Sequence, residues 1–146
     1  MSSERVRHVG PTVGYRIEDA VASLAYLPDH EPYSVGEPDD SNGLSGYGLA
    51  RDASILLHDA QYLETEYPAR VGWGHSSVAH AVAFASAARA QRLVLFHHDP
   101  LHSDDDLTAL EARAAELWQG VRRPELARDG MRLGFGEEVS ELAASG

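Results

Sequence analysis

Three apolar runs in this chain of 146 residues each lead into a residue able to bind a cation or carry a proton. "SLAYL" (23–27) runs into Pro28 and Asp29, "SILLH" (54–58) into Asp59, and "RLVLF" (92–96) into His97. Their leucine, β-branched and aromatic content predicts strands, and "TVGYRI" (12–17) adds another, joined to 23–27 across the charged turn "EDAVA" as a hairpin or adjacent strands. Between the last two runs lies "SSVAHAVAFASAARA" (76–90), where Val78, Ala81, Val82 and Ala85 recur at helical spacing behind Ser76 or Ser77 as the N-cap. Beyond His97, Ser103 predicts a second N-cap. Asp104, Asp105 and Asp106 fill the first turn, where the helix dipole favours carboxylates, and Leu107, Leu110, Ala114 and Leu117 form an inward stripe. "RPELARDG" predicts one more helical turn and "MRLGFG" (131–136) a last short strand, before a polar, fraying tail over 137–146. Strands alternating with helices make this an α/β chain with a layered sheet.

In open α/β sheets, sites gather beyond the carboxyl ends of the strands, so Asp29, Asp59 and His97 are expected to converge although they lie far apart in sequence. The length fits one domain over 1–146. With no cysteine, a metal must be held by His, Asp or Glu, a donor set that suits zinc, manganese or iron. Twelve basic residues against 23 acidic ones give a formal charge of −11, which argues against a groove that tracks nucleic-acid phosphates. The amino terminus is polar and no run approaches the ~18 apolar residues of a membrane span, so a soluble cytoplasmic protein is expected. The Pro-, Gly-, Asp- and Ser-rich interval from Pro28 to Gly48 has the length of a functional or mobile loop.

Five ordered stretches, "RHVGPTVGYRIE", "LAYLPDHEP", "LLHDAQY", "GWGHSS" and "LVLFHHDPLHSD", resemble the C-terminal half of metallo-β-lactamase-fold hydrolases, especially the phosphodiesterase branch near tRNA 3′-end nucleases and cyclic-phosphate phosphodiesterases. The resemblance covers His8 to about Asp106 and implies half of an αββα sandwich, a mixed sheet with helices packed on one face. It implies a metal-dependent phosphodiesterase using zinc, with manganese and iron as alternatives. By the same resemblance His8 is a ligand of a first metal, Asp29 bridges two metals and His97 closes the shell of the second. Asp59 and His75 match a proton-transfer pair, with Asp where that branch commonly has Glu. His97 rather than His98 is expected to face the metal.

Blander roles are expected elsewhere. His58 reads as a core or supporting residue and His80 as structural. Asp99 and Asp104 either orient imidazoles or cap the next helix, and Tyr62 and Trp73 either wall a substrate or simply pack.

The His-x-His-x-Asp-His signature with which such enzymes open does not occur in this sequence. A two-metal site is therefore expected only if an upstream segment or another chain supplies those ligands. The strand face carrying Val13, Tyr15, Ile17, Leu24 and Tyr26 is likewise expected to lack an internal partner, which implies a homodimer or a complementing chain. Two readings follow: the C-terminal half of a hydrolase, inactive alone, or a non-catalytic remnant serving binding or oligomerisation. The acidic balance favours a small phosphodiester or cyclic phosphate over tRNA.

Overall fold

A computed structural model describes residues 1–33 and 43–135, so the interval from Pro28 to Gly48 is seen only at its ends and the 137–146 tail lies outside the described residues. In chain order the elements are β1 (Ser2–Val6), β2 (Thr12–Glu18), β3 (Ser23–Leu27), α1 (Tyr47–Ala50), β4 (Ile55–Asp59), a 3-10 turn (Tyr67–Ala69), α2 (Val78–Ala87), β5 (Leu93–Phe96), α3 (Asp104–Leu117) and β6 (Glu125–Leu126). They build one mixed sheet in the order β1-β2-β3-β4-β5-β6, antiparallel from β1 to β3 and parallel from β3 to β6.

Local chemistry sets these boundaries. Asp19 closes the β2–β3 hairpin: its Oδ1 accepts from the Val21 and Ala22 amides, and its own amide donates to the Ala22 carbonyl. Ser77 Oγ accepts the His80 amide and opens α2. Ser103 and Asp106 exchange bonds in a complete capping box and open α3.

Each parallel strand is added on the same side of the one before it, and right-handed crossovers then place every intervening helix on one face. That face holds the core: Ala25, Leu27, Leu56, Leu93 and Leu95 from the sheet pack against Leu49, Val78, Phe84, Leu110 and Ala114 from the helices.

The opposite face has no helix on it among the described residues. Cross-strand pairing aligns Tyr15 with Tyr26, Ile17 with Leu24, Leu24 with Ile55, Tyr26 with Leu57 and Asp59 with Phe96. Ile55 and Val94 are buried there, whereas Tyr15 is 40% and Ile17 52% exposed. Val13, Leu24 and Tyr26 are partly covered.

Three elements differ from the sequence reading. Residues 123–130 form no helical turn. Glu125 and Leu126 instead add a parallel edge strand to β5, tied down by the Arg92–Glu125 ion pair at 2.9 Å. Residues 131–135 of "MRLGFG" form no strand, and Gly136 lies outside the described residues. The polar start, Ser2 to Val6, is a strand although only Val6 is buried, because pairing with β2 and not burial holds it in place. No helix among the described residues is long and apolar enough to cross a membrane.

Candidate active site

The period-two geometry of β4 splits the His58-Asp59 dipeptide across the sheet. His58 points into the helix-side core against Phe84, while Asp59 ends the strand on the opposite face. Asp29 arrives two residues after β3 and His97 directly after β5, so the carboxyl ends of three neighbouring parallel strands each contribute one group. His75 comes from the loop before α2. One donor atom from each of Asp29, Asp59, His75 and His97 lies within 4.8 Å of all the others.

Asp59 is fully buried, and both of its oxygens are occupied. Oδ1 accepts from the Gln61 and Ser76 amides at 3.1 and 3.2 Å, and Oδ2 from the His30 amide at 3.2 Å and from His75 Nδ1 at 2.6 Å. Burial pushes the Asp59 carboxyl up, and the His75 bond together with the two amides at His30 and Ser76 pulls it back. For His75 burial acts to lower proton affinity, but the Asp59 hydrogen bond and charge, joined by the charges of Asp29 and Glu31, outweigh it and leave the imidazole raised. The pair thus favours a proton on His75, with Nδ1 engaged and Nε2 turned away from the carboxylate.

His97 sits in the left-handed region at φ 61°, a conformation uncommon for a side-chain-bearing residue though less so for His than for most. This turn directs its Nδ1 to Asp29 Oδ1 at 2.6 Å and to the Pro28 carbonyl at 3.1 Å, with Asp59 Oδ2 at 3.8 Å. His98 leaves the strand on the other side and lines a separate cavity of about 350 Å³ with Asp104, Leu107 and Leu126. His8 lies beside the four-residue cluster and not within it: its ring meets the His75 ring edge-on at 5.2 Å, and its Nδ1 accepts the Gly10 amide. Gly74 is required at this contact, since a Cβ there would collide with the His8 ring.

A second layer supports the first. His58 Nδ1 donates to the Asp59 carbonyl at 2.7 Å, which leaves Nε2 to accept from His30 Nδ1 at 2.9 Å, so the tautomers of both buried rings follow from the bonding pattern. Ser76 Oγ donates to the His30 carbonyl, locking the β3 and His75 loops together. His80 packs between Tyr67 and Tyr33 and is structural. Asp99 accepts the Leu101 amide, and Asp104 lies in the first turn behind the Ser103 cap.

A family model described as a beta-lactamase superfamily domain matches residues 1–98. The chain belongs to the beta-lactamase superfamily. Its superfamily relatives include the Ribonuclease Z of Bradyrhizobium diazoefficiens, 33% identical over 79 residues, which are 54% of this chain and 26% of that protein. The Ribonuclease Z of Salinibacter ruber is 35% identical over 106 residues, 70% of this chain and 30% of that protein. Among solved structures, the metallo-beta-lactamase fold protein YhfI from Bacillus subtilis superposes with a TM-score of 0.64 at 19% identity, over 89% of this chain and 47% of that one. The short form of human tRNase Z gives 0.63 at 24% identity, over 92% and 42%. The matched region thus spans less than half of each of these proteins.

The superfamily implies a metal, and the donor chemistry here fits one. Two carboxylates and two imidazoles without a thiolate form a set suited to zinc, manganese or iron. Ligands of a tetrahedral zinc at ~2.1 Å lie ~3.4 Å apart, and the donor atoms of Asp29 and His97, which take no part in the Asp59–His75 bond, lie within 4.8 Å of one another.

Two acidic residues escaped the sequence reading. Glu31, 3% exposed, accepts from the Tyr67 hydroxyl and from the Gly72 and Gly74 amides, and Glu66 receives His102 Nε2 at 3.0 Å. The signal for Glu31 was only a charged residue directly after Asp29 and His30; its partners lie 36 to 43 residues away.

Proposed function

We propose that this chain carries the C-terminal half of a metal-dependent phosphodiesterase site, in which Asp29 and His97 hold one divalent ion, zinc before manganese or iron, Asp29 and His8 help to hold a second, and Asp59 and His75 form the proton-transfer pair. The observation that carries this reading is the convergence of Asp29, Asp59, His75 and His97, with the His75–Asp59 bond at 2.6 Å inside it. A divalent ion bound there supplies a counter-charge for phosphoryl oxygens and an acidified water. Asp59 fixes the His75 ring and holds a proton on it, and Nε2 is the atom that hands the proton to a departing oxygen. Four backbone and side-chain donors hold Asp59 in turn, so the pair needs no reorganisation when the leaving group departs.

A second metal requires ligands beyond this donor set, from another segment or another chain. The exposed Tyr15 and Ile17 favour a polypeptide covering that face, either a second copy or a complementing segment. Relatives named Ribonuclease Z lead toward an RNA-type phosphodiester, and the charge of −11 leads away from long tracts of nucleic-acid backbone. A short or cyclic phosphodiester satisfies both.

Isothermal titration calorimetry with zinc, followed by hydrolysis of bis(4-nitrophenyl) phosphate, tests the reading. Weak zinc binding that is lost in His97→Ala is expected of this chain alone, and turnover only when another segment or chain supplies the missing ligands. Protein that binds no zinc even when those ligands are supplied refutes it and leaves the non-catalytic binding module in its place.

A further inference from the structure

The loop that delivers His75 also holds a tryptophan out in solvent. Trp73 is 58% exposed, yet hydrogen bonds anchor the backbone at and on both sides of it. The residues on either side of it, Gly72 and Gly74, have φ of 82° and 93°, the left-handed region that glycine enters without strain. Their amides donate to the two oxygens of buried Glu31, each at 2.8 Å. The Trp73 amide donates to the Arg70 carbonyl, and the Arg70 amide to the Tyr67 carbonyl. Tyr67 closes the circuit through its hydroxyl to Glu31 at 2.7 Å, and the Glu31 amide reaches the Arg7 carbonyl.

An exposed indole on a floppy loop would need no explanation. One fixed by a buried carboxylate, two residues before His75, does. Trp73 and His75 line a groove of about 800 Å³ together with Tyr62, Arg70, Val9 and Leu101. The Arg70 guanidinium lies over the Tyr62 ring at 4.9 Å, adding a cation beside the aromatic floor. The groove therefore offers a planar π-face, a positive charge and the imidazole assigned above to the leaving oxygen.

We propose that this groove is the leaving-group subsite, which takes a planar aromatic group, a nucleobase or an aryl ring, stacked on Trp73. Glu31 is its positioning residue and sets the indole and His75 in one geometry. The assignment of this groove to the leaving-group side rests on the proton-transfer role of His75 proposed above. Stacking of a base on an aromatic side chain changes affinity by roughly 5- to 150-fold, enough to separate aromatic from aliphatic phosphodiesters.

The test uses the metal-free chain with a chelator present, so that its failure and the failure of metal-dependent hydrolysis are distinct. The chain has two tryptophans, and therefore two indole N–H resonances, which Trp73→Phe assigns. Adenosine 5′-monophosphate, phenyl phosphate and ribose 5-phosphate carry the same phosphate and differ in the ring. The Trp73 resonance is expected to shift saturably with the first or with the first two, and not with ribose 5-phosphate. A shift with adenosine 5′-monophosphate alone identifies a nucleobase, and equal shifts identify any aryl ring. Trp73→Ala should weaken binding, read at the Arg70 Nε–H resonance, at least 5-fold, and Trp73→Phe should restore most of it. Glu31→Gln should leave the indole in place but make it more mobile by heteronuclear relaxation and weaken binding several-fold. If ribose 5-phosphate shifts Trp73 as strongly as adenosine 5′-monophosphate, or if neither ring compound shifts it, the subsite does not exist.

Discussion

Mild acid should destabilise this protein through its buried imidazole pair, beginning above the pH at which most surface carboxylates titrate. His58 is completely buried, and burial pushes it from the ordinary 6.5 down to about 4, against a smaller opposing pull from the Asp59 carbonyl. His30 is also held well below 6.5, by burial first and by His58 second. The bonding pattern gives the local reason: His30 Nδ1 already donates to His58 Nε2, so a proton added to Nε2 would set two donors face to face. A depressed folded value means that the unfolded chain takes up the proton first, so stability falls as pH drops below 6.5 and stops falling below the folded value. The gap from 6.5 to about 4 corresponds to about 3 kcal/mol for His58 alone, at 1.36 kcal/mol per tenfold change in proton affinity. His30 adds a loss of the same sign. Together these are a large part of the ~5–15 kcal/mol that typically holds a domain folded. His75 runs the other way, because its raised folded affinity contributes stability that is complete below 6.5 and lost only as pH rises. Asp59, raised by burial, runs the same way as His75, so any fall in stability from pH 6.5 to 5 comes from the depressed histidines. Urea unfolding at pH 7, 6 and 5 should show the pair lowering stability by about one proton's worth in the first step and by more than one in the second. A flat profile across that window, or a His58 Cε1 resonance titrating near 6.5 in the folded protein, refutes the argument.

Two further substitutions test the supports of the site. Asp59→Asn keeps the shape but presents an amide to a cage of donors, so one or two buried N–H groups lose their acceptor; a loss of about 2–4 kcal/mol in chemical unfolding is expected. Without that carboxylate, burial governs His75, and its proton affinity should fall below the ordinary imidazole value by NMR titration. Ser103→Ala removes the side chain that accepts the Asp106 amide and should cost about 1 kcal/mol in urea unfolding, with faster hydrogen exchange confined to the first turn of α3.

The elements legible in the sequence are those whose residues carry their own reasons. β2 and β3 show strand-forming runs joined by a turn that Asp19 closes, α2 has Ser77, and α3 has Ser103 with three aspartates behind it. β1 and β6 carry no such reasons. Four of the five residues of β1 are exposed, and it exists because β2 offers it a row of backbone partners. β6 has two residues and depends on Leu95 and Arg92 of a distant segment. The site divides along the same line. Asp29, Asp59 and His97 could be placed because strand ends in an α/β sheet converge. Glu31 could not, because nothing in "DHEP" says that its carboxylate will meet two glycine amides more than 40 residues later.

Strand order ties the site to the uncovered face. A sheet that grows in one direction with right-handed crossovers must leave its second face without helices, and the alternation along β4 places Asp59 on that face while His58 serves the core. Asp59 stands opposite Phe96 in register, and Phe96 meets Tyr26 at 5.3 Å, at the centre of the apolar row that runs out to Tyr15 and Ile17. The Asp59 carboxylate and the exposed apolar surface are therefore neighbours by construction. The carboxylate stays buried only because the loops at Gln61, His30 and Ser76 fold over it and supply amides. A polypeptide that buried Tyr15 and Ile17 would lie along the same strands that end in Asp29, Asp59 and His97. In this topology such a polypeptide would close the apolar face and reach the donor groups at once.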